Sequence, residues 1–264
     1  MGLRSIKEIF VVGYGPSSSH TMGPYKASAD ILKKYPNADY IEVTLYGSLA
    51  LTGKGHLTDY IIDLALKDVK HKIVFNKRKK MEHPNFMSFK ITVGEETFVE
   101  NAVSIGGGSV ITKDNINTFN AIPTYPHSCM KEIKKYIETK DISFYEYVAQ
   151  FEDKDIHAYF ENVLKVMDEA VERGLKTAGY LPGKLKVERK AKVMYDNMEH
   201  TSLGVNDVAM NVAVHSFAVS EENAAGGLVV TAPTCGSCGV LPSVMKYYGE
   251  KYQKSRQTII EALA

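Results

Sequence analysis

Two stretches concentrate groups able to move protons and hold a small polar ligand. The first is Gly13-Tyr-Gly-Pro-Ser-Ser-Ser-His-Thr-Met-Gly-Pro24. Its hydroxyls, on Ser17, Ser18, Ser19 and Thr21, each donate and accept hydrogen bonds, and His20 exchanges a proton near neutral pH. Glycine and proline on both sides predict a shaped turn. A helix follows, so the turn reads as an anion-binding helix N-terminus. A serine-rich helix cap in a tight turn is the competing reading. The second stretch is Gly53-Lys-Gly-His-Leu-Thr-Asp59. Here His56, Thr58 and Asp59 bring an acid–base group, a hydroxyl and a carboxylate within four residues. Flanking glycines let a ligand approach the backbone, although Asp59 can equally cap the free amides of the next helix.

Three further features carry potential chemistry. Cys235-Gly-Ser-Cys238 reads as a redox dithiol, half a metal-ligand set, or two small core residues. No βαβ pattern surrounds it, which disfavours thioredoxin-like chemistry. Glu221-Glu-Asn223 closes an apolar helix, where carboxylates oppose the helix dipole. That reads as a solvated end or as the edge of a site. His215 inside the same helix reads as a hydrogen-bonded core histidine. Lys54 is a candidate Schiff-base lysine for pyridoxal phosphate, but nothing else fits that pattern.

Four stretches in order, Gly13 to Pro24, Tyr46 to Asp59, Ser104-Ile-Gly-Gly-Gly108, and Glu221 to Gly239, resemble the iron–sulfur-dependent L-serine dehydratases (L-serine ammonia-lyases). The resemblance runs over essentially the whole chain. It implies conversion of L-serine to pyruvate and ammonia, with a 4Fe-4S cluster in the complete enzyme acting as a Lewis acid and no pyridoxal phosphate. It implies proton transfer at His56 first and His20 second, with Thr58 beside them. Substrate contacts are expected from Ser17, Ser18, Ser19, Thr21 and Asp59, and from Thr231, Thr234, Cys235 and Gly236 of the later loop. That loop usually reads Thr-Ala-Pro-Thr-Asn-Gly in the family, with Asn where this chain has Cys235. The iron ligands are expected in a later segment, so none is assigned here and the isolated chain is expected to be incomplete. The expected partners are L-serine and a second copy in a homodimer, or a partner chain carrying the rest of the catalytic domain. A non-catalytic amino-acid-sensing or interaction module built from the same sequence is the rival reading.

Positioning these residues requires an α+β fold. Residues 1–12 read as a helical turn or a strand feeding the serine-rich loop. A helix is expected over about 22–35, a strand over 40–46, a small-residue loop over 47–55 and a helix over 57–66. A strand at 72–75, a hairpin of 86–93 with 97–103 and a resumed strand near 110–111 complete residues 1–115, a mixed α/β domain. Residues 116–152 read as a connector and first helices. Residues 153–264 read as the all-α part of a helical catalytic domain, with Ile156, Phe160, Val163, Met167 and Ala170 at helical spacing. Residues 189–198 and 240–248 are also expected to be helical. So are residues 205–219, apolar on almost every face and hence buried.

The 264 residues are 44% hydrophobic and 24% charged, an ordinary globular composition. A net charge of +1 gives no bulk attraction for nucleic acid or membrane, and Lys77-Arg-Lys-Lys80 reads as a solvated turn. No apolar run is long enough to span a bilayer and no signal core precedes the first motif, so a cytoplasmic location is expected. Three cysteines do not make an intrachain disulfide scaffold.

Overall fold

In this computed structural model, residues 3–114, 123–199 and 208–264 are described. The first part of the expected connector, up to residue 122, lies outside them, as does the start of the helix expected from Val205. After a single turn at Ile6–Glu8, β1 (Val12–Tyr14) leads through a π-helical turn at Ser18–Met22 into α1 (Gly23–Lys34). There follow β2 (Tyr40–Tyr46), α2 (Gly47–Thr52), a 3₁₀ turn at Gly53–His56, α3 (Thr58–Ala65) and β3 (Lys70–Asn76). Next come β4 (Phe86–Val93), β5 (Glu96–Gly106) and β6 (Ser109–Thr112). The remaining elements are α4 (Met130–Lys140), α5 (Phe144–Phe151), α6 (Ile156–Lys176), α7 (Ala191–Glu199), α8 (Val208–Ala224), β7 (Leu228–Val230), α9 (Val240–Lys251) and α10 (Arg256–Glu261). The fold is α+β.

Five strands form a mixed sheet in the order β3-β2-β4-β5-β6. Only β2 and β3 run parallel, which suits their connection through helices, whereas hairpins join β4, β5 and β6. Alternation decides which face is covered. Ile41, Val43 and Leu45 of β2 and Met87, Phe89 and Ile91 of β4 are all fully buried, and they form one core with Ala27 and Ile31 of α1 and Ile62 of α3. Between β5 and β6 the chain turns on Gly107 and Gly108, at φ 59° and 75°. A two-residue turn with both φ values positive matches the twist of its strands, and glycine adopts it without Cβ strain.

A second core gathers α4, α5, α6 and α10 through Ile133, Ile137, Tyr147, Val148, Phe160, Val163, Met167 and Ile260. A third, smaller one joins the two halves. In it Met22, at the end of the serine-rich turn, packs with Ala170 and Val171 of α6, Val219 of α8, Val229, Cys235 and Cys238. β1 pairs antiparallel with β7, Val12 opposite Val230. The C-terminal half is therefore not purely helical: it supplies one strand of a two-stranded ribbon that carries the serine-rich turn.

Two further expectations are corrected. Residues 47–56 are helical rather than a loop, because Leu49 and Ala50 bury one side against the sheet. Helix α8 is not buried all round. Val214, Ala218 and Val219 face the interior, whereas Val208, Met210 and Phe217 are exposed.

Candidate active site

The serine-rich turn is shaped by its own hydroxyls. Ser17 caps it, its Oγ accepting from the His20 amide at 3.2 Å. Thr21 is fully buried. Its Oγ1 accepts from the Ser17 amide and lies 2.7 Å from the Tyr14 carbonyl. Ser17 and Thr21 thus build the loop, whereas Ser18 and Ser19 are half-buried on it. This geometry holds His20 toward the start of α2, where its Nε2 meets Ser48 Oγ at 3.0 Å and Thr52 Oγ1 at 3.1 Å. On its other side, Nδ1 meets Ser19 Oγ at 3.0 Å.

His56 joins the same cluster. Its ring lies against that of His20, centroids 4.6 Å apart, and its Nδ1 is 3.0 Å from the Thr52 carbonyl. Since a carbonyl can only accept, Nδ1 is the donor in that contact. Burial pushes the His20 pKa down, and the neighbouring His56 adds to that, against a contact with the Ser48 backbone that raises it. The downward shift favours the neutral form of His20.

Thr58 is fully buried behind this pair and donates to the His20 carbonyl at 2.7 Å. Its hydroxyl fixes the backbone of His20. Asp59 lies on the first turn of α3 and accepts from the Tyr60 amide at 3.1 Å. The structure thus brings together His20, His56, Ser17, Ser19 and Thr58. Ser48 and Thr52 complete the cluster. Sequence reasoning passed over them, although both stand within the same matching stretch, on the face that leads to His56.

The later loop approaches from behind. Thr231 is fully buried and ties down the N-terminal segment, donating to the Ile9 carbonyl at 2.6 Å and accepting from the Val11 amide at 2.9 Å. Thr234 is exposed and caps a single turn with Ser237, and Gly236 is exposed. The Cys235 thiol points into the third core, 3.9 Å from Met22 Sδ. Of these four residues only Cys235 packs on the end of the serine-rich turn, through Met22, and none makes a hydrogen bond to His20 or His56 among the described residues.

Glu221 and Glu222 are buried, which overturns the solvated-end reading. Glu222 pairs with Arg189 at 2.8 Å and Arg173 at 3.0 Å, and Glu221 accepts from the amides of Lys190 and Ala191. Each carboxylate has local donors that offset the helix dipole. Asn223 packs on the serine-rich turn, its side-chain amide 3.5 Å from the Pro16 carbonyl.

Burial raises the pKa of Cys235 and Cys238 to about 12, which keeps both thiols protonated at neutral pH. Cys129 is exposed and lies at the start of α4. Among the described residues, no group of three His, Cys, Asp or Glu side chains is arranged to hold a metal ion. Those residues by themselves do not fit an iron–sulfur cluster, and no step below passes through one.

Two family descriptions match the chain: Serine dehydratase beta chain over residues 5–70 and Serine dehydratase alpha chain over residues 65–264. L-serine dehydratase 2 of Escherichia coli is 32% identical over 298 aligned residues, covering 92% of this chain and 66% of that protein. The L-serine dehydratase of Haemophilus influenzae is 32% identical, with 97% and 69% covered, and that of Helicobacter pylori (strain J99) is 31% identical, with 92% and 65% covered. The chain spans about two thirds of the length of these relatives. With the alpha-chain description matching more than half of its length and relatives at about 32% identity, the chain belongs to the serine dehydratase family.

Proposed function

We propose that this chain carries the substrate-binding and proton-transfer part of an L-serine dehydratase. The observation that carries this reading is the histidine pair: the His56 ring, oriented by the Thr52 carbonyl, lies against a hydroxyl-held His20. L-Serine binds by its carboxylate and hydroxyl among the hydroxyls of the serine-rich turn. His56 Nε2 removes the α-proton, the departing β-hydroxyl takes up a proton and leaves as water, and aminoacrylate forms. Tautomerisation to the imine and its hydrolysis, which consumes one water, release pyruvate and ammonia. Thr58 and Ser17 hold His20 in place, while Thr231 and Cys235 hold the wall behind the turn.

The 4Fe-4S cluster that the resemblance implies would draw ligands from outside the described residues. In the same reading, residues 1–115 form the α/β domain and 153–264 part of the helical catalytic domain, in a cytoplasmic homodimer or with a partner chain. Anaerobic reconstitution with iron and sulfide of this chain together with the remainder of the catalytic domain, followed by cluster analysis and pyruvate release from L-serine, tests this. Serine-dependent pyruvate is expected, with a loss of about 10²–10⁴-fold on His56→Ala. Absence of pyruvate from iron-replete full-length protein, or near-normal turnover by His56→Ala, would overturn it.

A further inference from the structure

The hydrogens of the cluster can be counted. Thr52 has one hydroxyl hydrogen, and it goes to the Ser48 carbonyl at 2.8 Å. Toward His20 Nε2, 3.1 Å away, Thr52 Oγ1 can then only accept, so Nε2 carries the imidazole hydrogen. In the neutral form of His20 this leaves Nδ1 as an acceptor for the Ser19 hydroxyl at 3.0 Å. The same Nε2–H faces Ser48 Oγ at 3.0 Å. Ser48 Oγ therefore accepts as well, and its own hydrogen is not used within the cluster. Ser48 is half-buried. Its backbone is fixed by its amide, which donates to the Pro84 carbonyl at 2.7 Å.

We propose that Ser48 is a substrate-contacting residue whose hydroxyl donates to the carboxylate of L-serine; this rests on the dehydratase reading above. A held donor with an uncommitted hydrogen in the histidine cluster is matched by an acceptor on the ligand. The carboxylate is the strongest acceptor that L-serine has, and the α-carbon to be deprotonated is one bond from it.

Full-length protein with Ser48→Ala and Ser48→Thr tests the assignment. L-Serine affinity is measured by calorimetry, kcat and KM by pyruvate release, and the His20 tautomer by ring-nitrogen NMR. Ser48→Ala is expected to weaken serine binding and raise KM by about tenfold to a hundredfold. His20 should remain the Nε2–H tautomer, because Thr52 still accepts, and Ser48→Thr should restore most of the affinity. Unchanged serine affinity in Ser48→Ala, with turnover intact, would overturn the role of Ser48 and leave the dehydratase reading standing. A switched His20 tautomer would also overturn it, showing that Ser48 acts through the histidine. A wild-type protein that neither binds nor converts L-serine would overturn both.

Discussion

Each histidine of this chain with a shifted pKa is set by what it touches, and each shift has a sign in stability. For His71, burial pulls the pKa down, but the Val69 carbonyl at 2.9 Å and the Asp63 carboxylate at 2.8 Å outweigh it and the net shift is upward. Its contribution is therefore fully present below the ordinary value of 6.5 and lost as pH rises through the raised value. His20 and His215 are shifted down, burial leading in both, so their neutral folded forms are disfavoured as pH falls below 6.5. The two slopes oppose each other. His71→Gln should steepen the fall in Tm on acidification from pH 7.5 to 5.5, and thermal melts across that range check it. Among the thiols, native protein at neutral pH should react with a thiol reagent at Cys129 alone. Cys235 and Cys238, protonated and buried, should react only on unfolding. Fast labelling of all three would place the later loop in solvent.

At the scale of elements, two contacts fix how the helical half meets the site. Helix α6 crosses α8 at Gly174, where an added Cβ would lie 2.2 Å from the Ala218 carbonyl oxygen. Backbone cannot yield as a side-chain tip can, so Gly174→Ala should cost about 1–3 kcal/mol or more by overpacking, read as a lowered denaturation midpoint. Close by, Arg189 and Glu222 form a buried ion pair. Arg189→Ala strands the carboxylate and should cost about 3–5 kcal/mol. The double replacement Arg189→Met with Glu222→Gln should cost much less, which denaturant melts distinguish.

Much of this architecture was legible in the sequence. Strand β2 alternates, α6 repeats its apolar residues at helical spacing, and a hairpin expected across residues 94–96 separates two β-rich runs, its connection one residue shorter in the structure. Residues 47–56 misled because glycine and threonine lower helix propensity, and burial of Leu49 and Ala50 overrides that. Helix α5 was passed over although Ser143 and Glu146 form a capping box. In the site, the histidines and serines could be read from type and spacing. That Thr21, Thr58 and Thr231 build walls could not, because their partners are carbonyls of Tyr14, His20 and Ile9, and a sequence does not say which carbonyl a hydroxyl meets.

The whole molecule holds its site between distant parts of the chain. The His20 turn hangs from β1, whose only strand partner among the described residues is β7, more than two hundred residues later. Thr231 adds two hydrogen bonds to the same N-terminal segment, and Met22 is packed by residues from α6, α8 and the later loop. The ribbon therefore works as a clasp that closes only when both ends of the chain are present. If the chain were cut between Lys140 and Phe144 and the two pieces produced together, they should reassemble without a covalent link. The N-terminal piece alone should keep its five-stranded sheet yet leave the His20 turn unformed. Protection of the His20 and Thr21 amides from hydrogen exchange, gained only when the second piece is added, would be the signature of assembly by complementation.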